Sequence, residues 1–112
     1  MRLKTLRLTE ADFQAQVIAY ARLRGWLVGH FRGVRVQRRD GTVTYQTPVQ
    51  ADGAGFPDLC LVRERVVWAE LKTDRGRLSP TQTLWLERLR AAGQEAHVWR
   101  PTDWQTITEV LS

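Results

Sequence analysis

Two short apolar runs joined by a charged tripeptide constrain the fold of this chain more than any other feature of its sequence. Residues 58–62 form the first run, residues 66–72 form the second, and an Arg-Glu-Arg turn separates them. Short apolar runs bounded by a polar turn are typical of paired strands. Because so short a connection can join only antiparallel neighbours, we expect this pair to lie at the centre of a β-sheet.

Three other segments carry the spacing of helices. Residues 9–24, 79–93 and 102–111 repeat apolar side chains at intervals of three and four, which indicates amphipathic helices. Thr9 and Ser79 are suitable N-caps for the first two of them. The sequence therefore predicts helices on both sides of the central strand pair.

The remaining segments predict further strands and one hairpin. Residues 26–31 are a short run rich in apolar and aromatic residues, and residues 95–100 indicate another short strand. Residues 34–46 are two alternating runs about an Asp-Gly pair, which favours a tight turn. Residues 47–57 are rich in glycine and proline, which is typical of a loop. We expect residues 1–112 to form a single α/β domain, in which a mixed central sheet is flanked by helices and a β-hairpin protrudes.

Composition narrows the class of partner. Seventeen Lys and Arg against twelve Asp and Glu give a net charge of +5, which favours a nucleic-acid partner without establishing one. A hydrophobic fraction of 43% without a long apolar run argues against a membrane span and against disorder. The basic N-terminus lacks the pattern of a secretory signal. With Cys60 as a single cysteine, interpreted as core packing, we expect a cytoplasmic protein.

The two central runs also carry the residues suited to catalysis. Alternation along residues 66–72 puts Glu70 and Lys72 on one face, and an antiparallel pairing brings Asp58 close to Glu70. Glu70 and Lys72 alone are also compatible with a simple surface ion pair. Two carboxylates in one pocket, however, repel each other unless they share a cation. Oxygen donors without histidine or thiolate favour Mg²⁺ or Mn²⁺, a site suited to phosphodiester hydrolysis when a lysine stands beside it.

A family resemblance rests on these residues and their neighbours. The motifs Gly55-Phe56-Pro57-Asp58 and Glu70-Leu71-Lys72, followed by Gln82 in an RLSPTQ context, resemble the VRR-NUC branch of the PD-(D/E)XK nucleases. The resemblance implies a restriction-endonuclease-like core. It also implies that Asp58, Glu70 and the backbone carbonyl of Leu71 bind the metal and that Lys72 is the catalytic lysine.

Two further positions have a functional and a structural interpretation. The family uses an acidic residue on the first helix, which implies that Glu10 joins the metal site with Gln14, four residues later, as a supporting residue. Glu10 could instead only stabilise the helix N-terminus. Gln82 could act in the catalytic site, as the resemblance suggests, or close a capping box with Ser79.

Arginines are the candidate DNA contacts, because their planar forks suit phosphate oxygens. One group surrounds the hairpin and a second follows Lys72, although both could equally be solvated surface. The candidates are Arg32, Arg35, Arg38, Arg39, Arg75 and Arg77.

Taken together, the sequence predicts a Mg²⁺- or Mn²⁺-dependent endonuclease that recognises the structure of branched or duplex DNA. Stand-alone members of the branch resemble Holliday junction resolvases of phage or bacterial type, which implies a C₂ homodimer. Two alternatives remain open. The chain could be a nuclease subunit that requires a helicase or replication partner, or a non-catalytic nucleic-acid-binding module.

Overall fold

The computed structural model describes residues 8–31, 34–46 and 49–112, with the backbone alone at 34–36 and 44–46. The helices within these ranges are α1 (Glu10–Leu23), α2 (Pro80–Ala91) and α3 (Trp104–Leu111), with a 3-10 turn at Pro101–Asp103. The strands are β1 (Leu27–His30), β2 (Val34–Gln37), β3 (Val43–Gln46), β4 (Leu59–Val62), β5 (Val66–Leu71) and β6 (Glu95–Trp99). The order of elements agrees with the predicted one.

The main sheet has four strands in the order β1-β4-β5-β6. β4 is antiparallel to both β1 and β5, with Leu59 opposite Ala69 in the second pair. β6 is parallel to β5, because the connection between them includes α2 and returns the chain to the starting end of the sheet. The predicted mixed sheet and its central antiparallel pair are confirmed.

The hydrophobic core lies between one face of this sheet and helices α1 and α3. Phe13, Val17 and Ala21 recur every four residues along α1 and are fully buried, as expected for the apolar stripe of a helix that faces a sheet. The sheet and the C-terminal helix contribute Leu59, Leu61, Val67, Ala69, Leu71, Trp99, Ile107 and Leu111.

The helix starts follow the local sequence. The hydroxyl of Thr9 accepts a hydrogen bond from the Asp12 amide at 3.1 Å, and Ser79 and Gln82 form a reciprocal capping box at the start of α2. Such caps satisfy amide groups that the helix itself leaves without partners. The two predicted N-caps are therefore confirmed.

The hairpin is a separate two-stranded sheet of β2 and β3. At its turn Asp40 accepts a hydrogen bond from the Thr42 amide at 2.9 Å, and Gly41 has a φ of +87°, a conformation that glycine adopts at little cost. The Asp-Gly turn is thus confirmed. Arg32 and the side chain of Arg35 lie outside the described residues.

Two boundaries differ from the prediction in a way that matters for the site. β4 begins at Leu59 and β5 ends at Leu71, so that Asp58 and Lys72 lie just outside the strands. Both side chains therefore lie at one rim of the sheet, where the pairing ends. No helix in the described part of the chain is long and apolar enough to cross a membrane.

Candidate active site

Asp58 and Glu70 lie opposite each other where β4 begins and β5 ends. The register pairs Leu59 with Ala69, which makes Asp58 and Glu70 the next pair along the two strands. The Leu71 amide donates a hydrogen bond of 2.8 Å to Oδ2 of Asp58. This bond fixes one carboxylate oxygen and the orientation of the side chain.

The loop before Asp58 is shaped by a close approach to α2. Gly55 has a φ of +82°, and a Cβ placed there would lie 2.4 Å from the Thr81 carbonyl carbon and 2.6 Å from the Gln82 amide nitrogen. Backbone atoms cannot yield to such a contact. A glycine at this position is therefore what lets the loop reach the first turn of α2 and deliver Asp58 to the sheet.

Glu70 is a buried carboxyl group with one oxygen committed and one free. Its side chain is only 2% exposed, and Oε1 accepts a hydrogen bond of 2.9 Å from Nε2 of Gln82. Oε2 is buried and has no hydrogen-bond partner among the described residues. Buried polar atoms nearly always have a partner, so this oxygen marks a place suited to a ligand.

Gln82 fills both of the roles that the sequence left open. Its Oε1 accepts from the Ser79 amide at 2.9 Å, and its own amide donates to the Ser79 hydroxyl at 3.2 Å. The remaining Nε2 reaches Glu70. The two interpretations were not exclusive, because the carboxamide has an acceptor for the cap and a donor for the carboxylate.

The electrostatics of the pair favour a bound cation. Burial and then the charge of Asp58 raise the pKa of Glu70 to about 8. Burial also raises the pKa of Asp58, with a contribution from the charge of Glu10, and Lys72 acts in the opposite direction on both groups. Two carboxylates that repel each other in a poorly solvated place are stabilised by a shared positive ion.

The donor set fits a hard divalent cation. One oxygen of Asp58 and one of Glu70 accept from N–H donors, and the two carboxyl groups lie close enough to interact with each other. Mg²⁺ and Mn²⁺ prefer oxygen donors of this kind. These two side chains, with the carbonyl of Leu71, the residue after Glu70, are the groups that could hold such an ion.

Glu10, the first residue of α1, lies near enough for its charge to raise the pKa of Asp58, and Gln14 is its neighbour on the helix. Gln14 is 8% exposed, and its Nε2 lies 3.5 Å from Oε1 of Glu10. Glu10 itself is exposed at the first position of the helix. Within the described residues no three His, Cys, Asp or Glu side chains form a ready metal cluster, and the role of Glu10 as a ligand stays a prediction.

Lys72 follows the last residue of β5, and its amide donates to the Trp99 carbonyl at 3.0 Å. The loop after it is held by an arginine that the sequence analysis did not single out. Nη1 of Arg100 donates to the carbonyl oxygens of Thr73 and Gly76, both at 2.6 Å. Only the parallel alignment of β6 with β5 brings Arg100 beside this loop, and no local pattern reveals it.

The candidate DNA-binding arginines are dispersed over two surfaces. Arg75 and Arg77 are exposed on the loop that follows Lys72, and Arg38 and Arg39 are exposed at the hairpin turn. None of these four forms an ion pair with another described residue. They are accessible to a polyanion, and their contact with DNA stays a prediction.

Aromatic rings lie beside the site. Phe56, two residues before Asp58, makes edge-to-face contacts with Phe31, Trp68 and Trp85 at centroid distances of 5.1, 5.6 and 4.9 Å. Such pairs contribute beyond their buried area. The cluster therefore stiffens the loop that carries Asp58 against the sheet and α2.

Comparison with known proteins gave one match. The family model described as the VRR-NUC domain matches residues 36–102, which is more than half of the chain and includes Asp58, Glu70, Lys72 and Gln82. The matched range begins after α1, so it does not include Glu10 and Gln14. Comparison with the curated proteins and with the solved structures found no match.

Proposed function

Since the chain belongs to the VRR-NUC family of nuclease domains within the PD-(D/E)XK superfamily, we propose that it is a Mg²⁺- or Mn²⁺-dependent endonuclease that hydrolyses DNA phosphodiester bonds. The observation that carries the proposal is the buried Glu70 carboxylate. One of its oxygens is bound by Gln82 and the other has no partner among the described residues, while Asp58 stands opposite.

The proposed roles follow from the chemistry of each group. Asp58, Glu70 and the Leu71 carbonyl would hold the ion, which would supply Lewis acidity and activate water for attack. Lys72 provides a positive charge at the rim of the sheet, directly after β5. Its ammonium group stabilises the charge that develops on the phosphate oxygens and orients the attacking water.

The overall reaction is a hydrolysis that balances without another reactant. The oxygen of water bonds to phosphorus, the bond from phosphorus to the 3′ oxygen breaks, and the water proton ends on that oxygen. The products are a 5′-phosphate and a 3′-hydroxyl. Gln82 takes no part in bond making; it holds Glu70 in place.

We further propose that branched DNA is the preferred substrate and that two copies act as a C₂ dimer, which places two equivalent sites for cuts on opposing strands. The net charge of +5 and the exposed arginines on two separate surfaces support binding to a phosphate backbone in more than one place. Neither feature reads base sequence.

Cleavage of a labelled four-way junction tests the proposal directly. Purified wild-type protein, Lys72→Ala and Arg22→Ala are compared with Mg²⁺, Mn²⁺ or EDTA, on the junction, a fork and a plain duplex. Arg22→Ala is the matched control, because it removes the same charge from an exposed position at the far end of α1. We expect symmetric, metal-dependent nicks from wild type and from the control, and none from Lys72→Ala.

Binding without cutting under every metal condition would contradict an autonomous enzyme. In that case a partner-dependent subunit or a non-catalytic binding module accounts better for the chain. Cleavage of all three DNAs at equal rates would support the nuclease activity but contradict the preference for branched DNA.

A further inference from the structure

A groove runs between the loop before the active site and one face of α2. The helix residues that line it recur at intervals of three and four, so they share one side of α2. The groove is lined by Ala51, Asp52, Ala54, Thr81, Leu84, Trp85 and Arg88.

The two walls are fixed to each other. Nε1 of Trp85 donates a hydrogen bond of 2.9 Å to the Asp52 carbonyl, and the Trp85 ring packs edge-to-face on Phe56 at 4.9 Å. Gly55 closes the end of the loop against Thr81. Because these contacts already hold the loop against α2, a ligand would lose little free energy in ordering the groove, which favours binding.

The inside of the groove is suited to a flat, weakly polar ligand. Leu84 is 49% exposed there although it is a large apolar side chain, and alanines from the loop face it. Ala51 has a φ of +59°, a strained conformation for a residue with a Cβ, and such strain is concentrated at ligand-binding segments. The planar face of a nucleobase matches this lining.

Charge determines which wall a nucleotide phosphate would approach. Arg88 is exposed on the helix wall and forms no ion pair with any residue that the structure describes, whereas Asp52 belongs to the loop wall. A phosphate is attracted to the first wall and repelled by the second. The charges therefore favour a nucleotide that has its base inside the groove and its phosphate beside α2.

The groove and the candidate active site are built on the same two segments of the chain. Thr81 lines the groove, and the next residue, Gln82, binds Glu70. On the other wall, Ala54 is followed by Gly55 and, three residues later, by Asp58. The groove therefore lies within a few residues of the carboxylate pair on both segments.

We propose that this groove binds an unpaired nucleotide of the DNA substrate, next to the phosphate that is cut. The inference rests on the proposed nuclease function and deepens it. A base in a duplex would have to unstack before it could enter, whereas a base in the unpaired arm of a fork is already free. The groove thereby gives a physical basis for preferring branched DNA over plain duplex.

Equilibrium binding tests the groove separately from cleavage. In a Lys72→Ala background with Mg²⁺, fluorescence anisotropy measures the affinity for a fork with an unpaired arm and for a fully paired duplex of equal length. The groove variants are Leu84→Ser and Arg88→Glu. Their matched controls are Leu23→Ser, which changes a leucine that is 80% exposed, and Arg22→Glu, both on α1.

We expect Leu84→Ser to weaken fork binding about tenfold, the loss typical of removing one base contact, and to leave duplex binding unchanged. Arg88→Glu should also weaken fork binding, because it reverses the charge that attracts the phosphate. The controls should bind the fork like the parent, apart from the small general effect of charge in Arg22→Glu. A 2-aminopurine in the unpaired arm should change its emission with the parent and not with Leu84→Ser.

Unchanged fork binding in both groove variants would overturn the inference, as would an equal loss on fork and duplex for Leu84→Ser. Either result would leave the nuclease proposal standing, because the parent would still bind DNA. Failure of the parent to bind any DNA would instead overturn the proposed function, and the groove inference with it. Circular dichroism and melting temperature verify that each exposed substitution leaves the fold intact.

Discussion

Gln82 donates a hydrogen bond of 2.9 Å from Nε2 to Oε1 of the buried Glu70 carboxylate. The same carboxamide closes the capping box of α2 through Ser79. The Gln82 side chain thus links the first turn of α2 to the Glu70 carboxylate of the candidate site. Correct folding of α2 is therefore a condition for the correct orientation of Glu70.

A comparison of substitutions at Gln82 and Ser79 should distinguish the contribution of the helix cap from that of the hydrogen bond to Glu70. Gln82→Ala removes both bonds and leaves a buried acceptor without a partner, and we expect a loss of about 1–3 kcal/mol in the free energy of unfolding. Ser79→Ala removes only the hydroxyl that accepts from the Gln82 amide and should cost about 1 kcal/mol. Urea denaturation with EDTA measures both, and Mg²⁺ titration should show weaker binding only in Gln82→Ala. Equal metal affinity in the two variants would argue against a site role for Gln82.

Stability without metal should fall as the pH rises. Glu70 has a raised pKa of about 8 in the folded protein against an ordinary 4.5, so the folded state holds a proton that the unfolded state has lost. The stability from this proton is complete below about pH 4.5 and disappears as the pH rises through 8. Melting curves in EDTA between pH 5 and 9 measure the fall, and Glu70→Gln, which cannot ionise, should flatten it.

Gly55→Ala should damage the site through a backbone clash. The new Cβ would meet the carbonyl carbon and amide nitrogen between Thr81 and Gln82. Gly41→Ala is the matched control, because Gly41 has a similar positive φ and no atom of the described residues lies within 4 Å of an added Cβ. Both substitutions carry the strain of a positive φ, about 1 kcal/mol. Gly55→Ala should lose about 1–3 kcal/mol more and its cleavage activity, and equal losses in the two variants would contradict the clash.

Arg100 should act as a positioning residue for Lys72. Its Nη1 holds the carbonyls of Thr73 and Gly76, so Arg100→Gln should release the loop and lower kcat more than it raises KM. Arg100→Lys keeps the charge and enough donors for both carbonyls, and should recover part of kcat. Single-turnover cleavage with saturating enzyme measures the chemical step. A purely structural role would lower stability equally in both variants without separating their rates.

Arg75 and Arg77 should contribute to phosphate contacts. Each alanine substitution should reduce by about 1 the slope of log affinity against log salt concentration, as expected for one lost phosphate contact. Arg22→Ala provides the control at an exposed site on α1. Anisotropy with duplex DNA at several salt concentrations measures the slope, and an unchanged slope would assign the two arginines to ordinary solvated surface.

Much of the fold could be predicted from local patterns in the sequence. The strand pair that presents Asp58 and Glu70 follows from alternation and a short turn, because pleat and turn geometry act between near neighbours in the sequence. The caps at Thr9 and Ser79 are equally local, since a cap satisfies amides only three residues away. The family match includes the same motifs. These features needed no knowledge of how distant elements pack.

Tertiary structure alone decided the rest. The contact of Gln82 with Glu70, the approach of Gly55 to Thr81 and the grip of Arg100 on the loop after Lys72 each join segments that are far apart in the chain. Periodicity and capping signals do not encode such contacts, because they arise only after helix α2 and strand β6 dock on the sheet. The sequence by itself determined which chemical groups lie at the rim of the sheet, whereas packing decided which atoms of those groups are fixed and which oxygen of Glu70 stays available.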